Sequence, residues 1–373
     1  MNETQHDYRY MQRALELARQ GAGRVEPNPM VGCVIVQGEK IVGEGFHTAF
    51  GRDHAEIEAL RNAGTDAEGG TLYVNLEPCC HHGKTGPCTE AILAAKLTRV
   101  VVANRDPFPQ VAGTGLASLR EHGLDVMTGV AAEEAEALNA PYFHYLQTNR
   151  PWVIAKWAMS LDGKMATSGG DSRWISNPRS RSIVHQIRGR VDAILIGRRT
   201  AELDDPQLTA RPPGPRTAVR IVLDSMAQLC TDSKLVRSAG EVPLMVVTGP
   251  QAPLEARSRL ENAGCEVICL DQEPQEGQSA KLHQLLERLG ERQMTNLLVE
   301  GGGKVLGSFF DAELINEVHT FIAPVLIGGE GVSPLGGSGA ENMDSVIRLE
   351  HFQTEQIDED WYISGRFLQN KDI

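Results

Sequence analysis

The chain of 373 residues lacks any apolar run long enough to cross a bilayer, so no membrane partner is expected. It also lacks a basic excess: 36 Lys and Arg against 49 Asp and Glu give a formal charge of −13. That balance argues against nucleic acid as the main partner. Aromatic residues are few, at 5%. No internal repeat or low-complexity tract is visible, and "QEPQEGQ" near residue 275 reads as a polar loop. Cysteine is sparse and odd in number, with Cys33, Cys79, Cys80 and Cys88 in the first quarter and Cys230, Cys265 and Cys269 scattered beyond. Such a distribution is no disulfide framework; in a reducing compartment, clustered cysteines suggest a metal. The first residues, Met1 to Asp7, are polar and slightly acidic, unlike a targeting segment, so a cytoplasmic location is expected.

What is present fills two domains. Residues 8–20 place Met11, Ala14, Leu15 and Ala18 on one helical face, with Asp7 as a plausible N-cap. "VGCVIVQ" and "IVGEGFH" read as strands around a turn, "HAEIEALRNAG" as a helix closed by glycine, and "TLYVNLEP" as a strand. Further alternation follows, and "AAEEAEALNAPYFHYLQ" closes this half as one helix. The polar break "QTNRP", residues 147–151, is the best boundary, dividing the chain into 1–148 and 149–373. After it the pattern restarts with "WVIAKWAMS", "AILIG", "NLLVE" and a long strand, "INEVHTFIAPVLIG", before a hairpin-like C-terminal stretch. Strands alternating with helices imply α/β layers with a mainly parallel sheet.

Chemistry concentrates in "HAE" at 54–56 and "NLEPCCHHGKTGPC" at 75–88. A His, a Glu two residues on, then Pro-Cys and a final Cys is the order expected of a zinc deaminase. His54, Cys79 and Cys88 give one zinc ion three protein ligands and leave a fourth position for water. Glu56 then serves as the proton shuttle. Both segments open helices, where the dipole favours thiolate. Cys80, His81 and His82 become residues of an insert that also carries Lys84 and Thr85 and could contact a substrate. A closed structural zinc site would not need Glu56. Coordination by Cys80 in place of Cys79 is disfavoured by the Pro-Cys geometry.

The second half is less explicit. "NLLVEGGGKVLGSFF" is a strand, three glycines and a helix, equally compatible with phosphate binding and with a structural turn. Arg179, Arg181, Arg188 and Arg190 on one helix read by default as a solvated face, and Trp174 as partial core.

Taken together, "EPNPMVGCVIV", "HAEIEAL", "LEPCCHHGKTGPC" and "RDPFPQVAGTGLASLREHGLDV" resemble the deaminase half of the bifunctional riboflavin-biosynthesis deaminase–reductase family. "AKWAMSLDGKMAT", "GGDSRWIS", "TAELDDPQLTAR" and "LLVEGGG" look like its reductase half. The resemblance implies a cytidine-deaminase-like α/β/α domain followed by a dihydrofolate-reductase-like α/β domain. It implies deamination of a phosphoribosylaminopyrimidine substrate, then reduction of its ribosyl group with NADPH, and a homodimer or higher homo-oligomer. Carried over by position, it assigns zinc to His54, Cys79 and Cys88, proton transfer to Glu56, and the substrate pocket to Asn28. In the second half it places Ala158, Trp174, Thr200, Asp204 and Ser225 at the cofactor, with Gly302, Gly303, Lys304, Val305, Leu306, Gly307 and Ser308. Ser172, Arg188, Leu208, Arg211 and Glu300 would meet the substrate, the arginines suiting its phosphate and Glu300 its ribose hydroxyls. Arg198 or Arg199 would reach the cofactor's 2′-phosphate or else lie on the surface. Cys80 departs from the family's usual Ser, and Gly86 from a common second proline.

Two other classes compete. A nucleoside or tRNA deaminase with an accessory domain is opposed by the long inter-cysteine insert, the acidic charge and the reductase motifs. An interaction protein with a structural zinc is opposed by Glu56.

Overall fold

The structure, a computed structural model, describes residues 3–81, 86–108, 111–270 and 277–367. His82, Lys84 and Thr85 of the insert and most of the "QEPQEGQ" loop lie outside the described residues. The chain divides into two compact units, 1–149 and 150–373. No helix among the described residues is long and apolar enough to cross a membrane.

The first unit contains α1 (Glu3–Ala18), β1 (Gly32–Gln37), β2 (Lys40–Phe46), α2 (Ala55–Ala63) and β3 (Thr71–Leu76). It continues with α3 (Cys88–Ala94), β4 (Arg99–Asn104), α4 (Thr114–Glu121), β5 (Asp125–Thr128), α5 (Ala132–Leu138) and α6 (Ala140–Thr148). Its sheet has the order β2-β1-β3-β4-β5. As expected where strands alternate with helices, the β3–β4 and β4–β5 pairs are parallel, while β1 runs antiparallel to both β2 and β3. Strand alternation builds two cores. Ile35, Leu72, Val74, Val100 and Val102 face Ala55, Ala59, Ile92 and Leu119. Val34, Val36, Tyr73 and Val101 face Met11, Ala14, Leu15 and Ala135 on the other side. The unit is an α/β/α sandwich.

Asp7 is not an N-cap. The helix starts at Glu3, and Asp7 is buried within it, accepting bonds from Arg99 Nη1 and Nη2 (both 2.8 Å) and from the Tyr73 hydroxyl (2.8 Å). A carboxylate so paired is satisfied away from a helix end. The expected single helix after β5 divides into α5 and α6 at Asn139. That side chain accepts from Met30 N and donates to Met30 O, both at 2.9 Å, holding the 27–31 loop.

The second unit contains β6 (Trp152–Ser160), α7 (Pro178–Arg188), β7 (Ala193–Gly197), α8 (Arg198–Asp204), β8 (Val219–Leu223) and α9 (Lys234–Arg237). Then come β9 (Leu244–Thr248), α10 (Leu254–Asn262), β10 (Glu266–Cys269), α11 (Gly277–Glu291), β11 (Asn296–Glu300) and α12 (Gly303–Asp311). It ends with β12 (Glu317–Ala323), β13 (Leu349–Ile357) and β14 (Asp360–Phe367). The nine-stranded order is β10-β9-β8-β7-β11-β6-β12-β14-β13. Strands β10 to β12 in that order are parallel, and β14 and β13 close the sheet antiparallel. On one face Val153, Leu195, Val299, Leu306, Phe309 and Leu285 are buried together, and on the other Ile194, Ile196, Val222, Val246 and Leu298 are buried too. The long strand expected from residue 315 stops at Ala323, because Pro324 cannot donate to the ladder.

Candidate active sites

In the first unit, the ligand-bearing segments are fixed by backbone contacts. A Cβ on Gly45 would lie 2.5 Å from both Ala55 O and Ala59 N, so glycine lets β2 touch the first turn of α2. His54 is the N-cap of that helix, with φ −74° and ψ 162°. Cys79 follows β3, Cys88 opens α3, and Thr89 N donates to Cys79 O at 3.2 Å. Here His54 Nδ1 is 3.4 Å from Cys79 Sγ and 3.3 Å from Cys88 Sγ. The three donor atoms all fall within 4.8 Å of one another. A tetrahedral zinc with bonds of about 2.0–2.3 Å has ligand–ligand edges of about 3.5 Å, so this donor set fits zinc.

The two thiols titrate together. Cys79 is drawn well below the ordinary thiol value by hydrogen bonds from Cys88 and His54, while Cys88 is pushed up by donating to Cys79 and by burial. The Cys88 amide also points to Cys79 Sγ at 3.4 Å, as a helix N-terminus should toward a thiolate. Glu56 is 3% exposed and hydrogen-bonded to Cys88. Burial pushes its carboxyl up to about 7, against the pull of His54. Cys80 stands outside the ligand cluster, its Sγ 2.9 Å from the Thr114 hydroxyl.

These groups border a cavity of about 380 Å³, within the range of small-molecule sites. His54, Glu56 and Cys79 line it, as does Asn28. His47, Asp106 and Tyr142 also line it and received no role from the sequence. His47 Nδ1 is 3.1 Å from Asp53 O and its Nε2 3.4 Å from Asn28 Nδ2, and burial lowers its pKa. The Tyr142 hydroxyl donates to Asp106 Oδ1 at 3.1 Å. Burial raises the Asp106 carboxyl. Asp106 lies in "RDPFPQ", which carried a resemblance but no chemical pattern; nothing local distinguishes Tyr142. Glu77, buried beside Pro78, accepts backbone N–H groups of Gly113 (2.9 Å), Leu116 (3.1 Å) and Asp106 (3.3 Å), fixing the loop that forms one wall.

In the second unit, Arg188 and Glu300 form a bidentate pair: Nε to Oε1 at 2.5 Å and Nη2 to Oε2 at 2.8 Å, with Lys156 Nζ 4.0 Å from Oε2. Arg188 is therefore not part of a solvated face; its side chain is only 14% exposed. Burial alone would raise the Glu300 carboxyl, but the Arg188 charge and hydrogen bonds more than offset this and hold it low. Trp174 is not core: it is 72% exposed, with the Arg181 guanidinium 4.5 Å from its ring centre. Thr200 stands beside the glycine turn, its Oγ1 2.9 Å from where a Gly302 Cβ would sit. Gly301 and Gly302 have φ of 71° and 81°. The N-cap of α12 is Gly302, which offers no side-chain cap; Val305 N already donates to Gly302 O at 2.9 Å, so the amides that could meet an anion are those of Gly303 and Lys304. Those features fit a dinucleotide's phosphates.

The remaining assignments are dispersed. Gly303 and Gly307 face backbone, since a Cβ on either would collide with Ser333 O and Gly336 O respectively. Leu306 lies in the core, Val305 packs against it, and Lys304 is exposed and accepts at its carbonyl from Ser308 Oγ at 2.9 Å. Ser225 is exposed after β8, separated from β11 by β7. Ala158 is half-buried on β6 and pairs with Phe321. The Asp204 carbonyl accepts from Arg173 at 2.6 Å, and burial raises its carboxyl. Ser172 is half-buried, Leu208 is buried at φ 52°, and Arg211 meets Gln207 Oε1 at 3.2 Å. Arg198 pairs with Glu202 (2.5 Å) and Asp224 (3.6 Å), while Arg199 is exposed.

An imidazole, two clustered thiols and a buried glutamate beside a cavity in an α/β/α unit define a zinc-deaminase type of enzyme domain. Residues 4–104 match the cytidine and deoxycytidylate deaminase zinc-binding region, and residues 151–363 match the RibD C-terminal domain. The riboflavin biosynthesis protein RibD of Actinobacillus pleuropneumoniae is 40% identical over 96% of this chain and 94% of its own. That of Aquifex aeolicus is 39% identical over 96% and 97%. Among solved structures, Acinetobacter baumannii RibD superposes with a TM-score of 0.85 at 34% identity, covering 98% of this chain and 100% of that one. A diaminohydroxyphosphoribosylaminopyrimidine deaminase/5-amino-6-(5-phosphoribosylamino)uracil reductase from Thermotoga maritima gives the same TM-score, identity and coverage. The chain belongs to the RibD family of bifunctional riboflavin-biosynthesis enzymes. Its two matched regions imply zinc and a nicotinamide cofactor.

Proposed function

We propose that the chain catalyses two consecutive steps. The first is hydrolytic deamination of 2,5-diamino-6-(5-phosphoribosylamino)pyrimidin-4-one to 5-amino-6-(5-phosphoribosylamino)uracil. The second is NADPH-dependent reduction of the ribosyl group to ribityl. In this reading residues 1–148 deaminate and 149–373 reduce, in a cytoplasmic homodimer or higher homo-oligomer. The observation that carries it is the cluster of His54, Cys79 and Cys88 with buried Glu56, of which His54, Cys79 and Glu56 line one cavity.

His54, Cys79 and Cys88 hold the zinc, which when bound supplies a Lewis acid that makes hydroxide available near neutral pH. Glu56, buried beside the ligand cluster, would be ionised with a cation held there and so would act first as the proton acceptor. It takes a proton from water and delivers it to the pyrimidine ring nitrogen as the hydroxide adds to the amine-bearing carbon; it then moves the proton of the new hydroxyl to the amine, whose C–N bond breaks to release ammonia and leave a carbonyl. Asn28, within the same cavity, orients the substrate. In the second unit Ala158, Trp174, Thr200, Asp204, Ser225 and residues 302–308 hold NADPH, which supplies hydride to the opened sugar carbon. Ser172, Leu208 and Arg211 meet the substrate with Arg188 and Glu300. Arg188 is already engaged by Glu300, so exposed Arg211 is the readier partner for the phosphate.

The test is a single tube of zinc-loaded protein with the diaminopyrimidine phosphoribosyl substrate, following ammonia and NADPH together. Matched ammonia release and NADPH oxidation are expected, with NADH oxidised more slowly. Ammonia without NADPH loss would remove the reductase reading, and neither signal would remove both.

A further inference from the structure

The family resemblance places Gly303 and Gly307 at the cofactor, yet the group that approaches them is the chain itself. Their missing Cβ atoms make room for the carbonyls of Ser333 and Gly336, and Gly336 N donates to Gly303 O at 2.9 Å. These partners belong to "VLIGGEGVSPLGGSG", residues 325–339, which contains six glycines. A segment so rich in glycine has little conformational preference of its own. Its course must be set from outside.

Two carboxylates set it. Asp162, in the turn after β6, accepts from Ser160 Oγ at 2.6 Å and from the amides of Ile327 (3.0 Å) and Gly328 (2.7 Å). At the other end Asp311, the last residue of α12, accepts from the amides of Ser338 (2.7 Å) and Gly339 (3.0 Å). Between them Leu161 N donates to Val325 O (2.9 Å), Met165 N to Val332 O (2.8 Å) and Val332 N to Ala166 O (2.9 Å). Leu335 packs against the core. The segment thus runs from the turn at the end of β6, past the start of α12 at Gly303, to the last residue of that helix, Asp311, tying the turn to both ends of the helix.

We propose that residues 325–339 are a strap, pinned by Asp162 and Asp311, that positions the start of α12 for the nicotinamide dinucleotide, making both carboxylates positioning residues for the reductase step. This rests on the cofactor assignment above. The partners of both carboxylates are strap amides, with the Ser160 hydroxyl added at Asp162, so each acts through the strap's backbone. Both are ionised at neutral pH, because the Ser160 hydroxyl and then the Ile327 and Gly328 amides hold Asp162 at about 2, and the Ser338 and Gly339 amides hold Asp311 below its ordinary value. An asparagine at either place retains one acceptor oxygen but turns an N–H₂ toward an amide, losing the charge-assisted bond.

The experiment is titration of full-length, zinc-loaded protein with NADPH, followed calorimetrically, for the wild type, Asp162→Asn and Asp311→Asn. Each variant is expected to raise the NADPH Kd about five- to tenfold. The KM for NADPH should rise with kcat retained, ammonia release should stay unchanged, and proteolysis within 325–339 should be faster. Asp162→Glu and Asp311→Glu should recover part of the affinity. Using both ends guards against one variant failing to fold. Wild-type binding with unchanged Kd in both asparagine variants overturns the strap alone. A wild type that binds no dinucleotide overturns the cofactor reading and the strap with it.

Discussion

Replacing Arg188 with Ala should unfold the second unit at a markedly lower temperature, and the loss should depend on pH. The substitution leaves the Glu300 carboxylate, whose side chain is 7% exposed, without its bidentate partner. Removing one member of a buried ion pair costs about 3–5 kcal/mol. Lys156, 4.0 Å from Glu300, supplies partial compensation and favours the lower end. In a unit of this size, about 2–4 °C of Tm accompanies each kcal/mol, so about 6–12 °C is expected at the lower end. In the wild type the Glu300 carboxyl is held below its ordinary value. The pair's contribution is therefore fully present above the unfolded value of about 4.3 and is lost as pH falls through the lower folded value. In the variant only burial and Lys156 act, and burial pushes the carboxyl upward. That penalty is largest at and above neutrality and eases as protonation becomes possible. The gap in Tm between wild type and variant should consequently narrow from pH 8 to pH 5 in calorimetric scans. A variant melting within about 2 °C of the wild type, or a gap independent of pH, would refute the reasoning.

Glu56→Ala should retain zinc by elemental analysis and lose ammonia release by about 10²–10⁴-fold; normal turnover would remove Glu56 from the mechanism. Cys80→Ser should leave zinc stoichiometry unchanged whereas Cys88→Ser should lower it, since Cys80 meets Thr114 and not the ligand cluster. Metal analysis of both proteins separates the two sulfurs. Gly45→Ala should destabilise the first unit by about 1–3 kcal/mol and reduce ammonia release more than NADPH oxidation, because its Cβ would press on Ala55 and Ala59 beneath His54. Urea unfolding and the two activities measured separately would check this.

The parallel strands of the second unit were legible because buried on both faces they are continuous apolar runs; Ala193–Gly197 and Asn296–Glu300 coincide with "AILIG" and "NLLVE". The cluster of His54, Cys79 and Cys88, which fits a metal, was legible because the order and spacing of these residues is itself a chemical pattern. Strand direction was not: nothing within "VGCVIVQ" states that β1 will lie antiparallel to both neighbours, since pairing is settled by distant segments. Asp7 satisfied the local rule for a cap, yet Arg99 and Tyr73, more than sixty residues away, draw it into the fold instead. Trp174 reads as core by its size, but its ring lies on the surface under the Arg181 guanidinium. Asp106 and Tyr142 each look ordinary in sequence and acquire meaning only when α6 brings the phenol to the carboxylate.

The strand order of the second unit also constrains how it can be made. β11 sits between β7 and β6, which pair with it and not with each other. As the chain leaves the ribosome, β7, β8, β9 and β10 can align in sequence order, but β6, synthesised before them, has neither of its neighbours until residues 296–323 appear. The first unit, by contrast, has its last strand by Thr128. Domains generally fold in the order of synthesis, and long-range parallel pairing is slow. The zinc-binding unit can therefore be assembled while β6, a future inner strand of the other sheet, still waits with its apolar side chains uncovered, a stage at which a chaperone has an obvious place to hold.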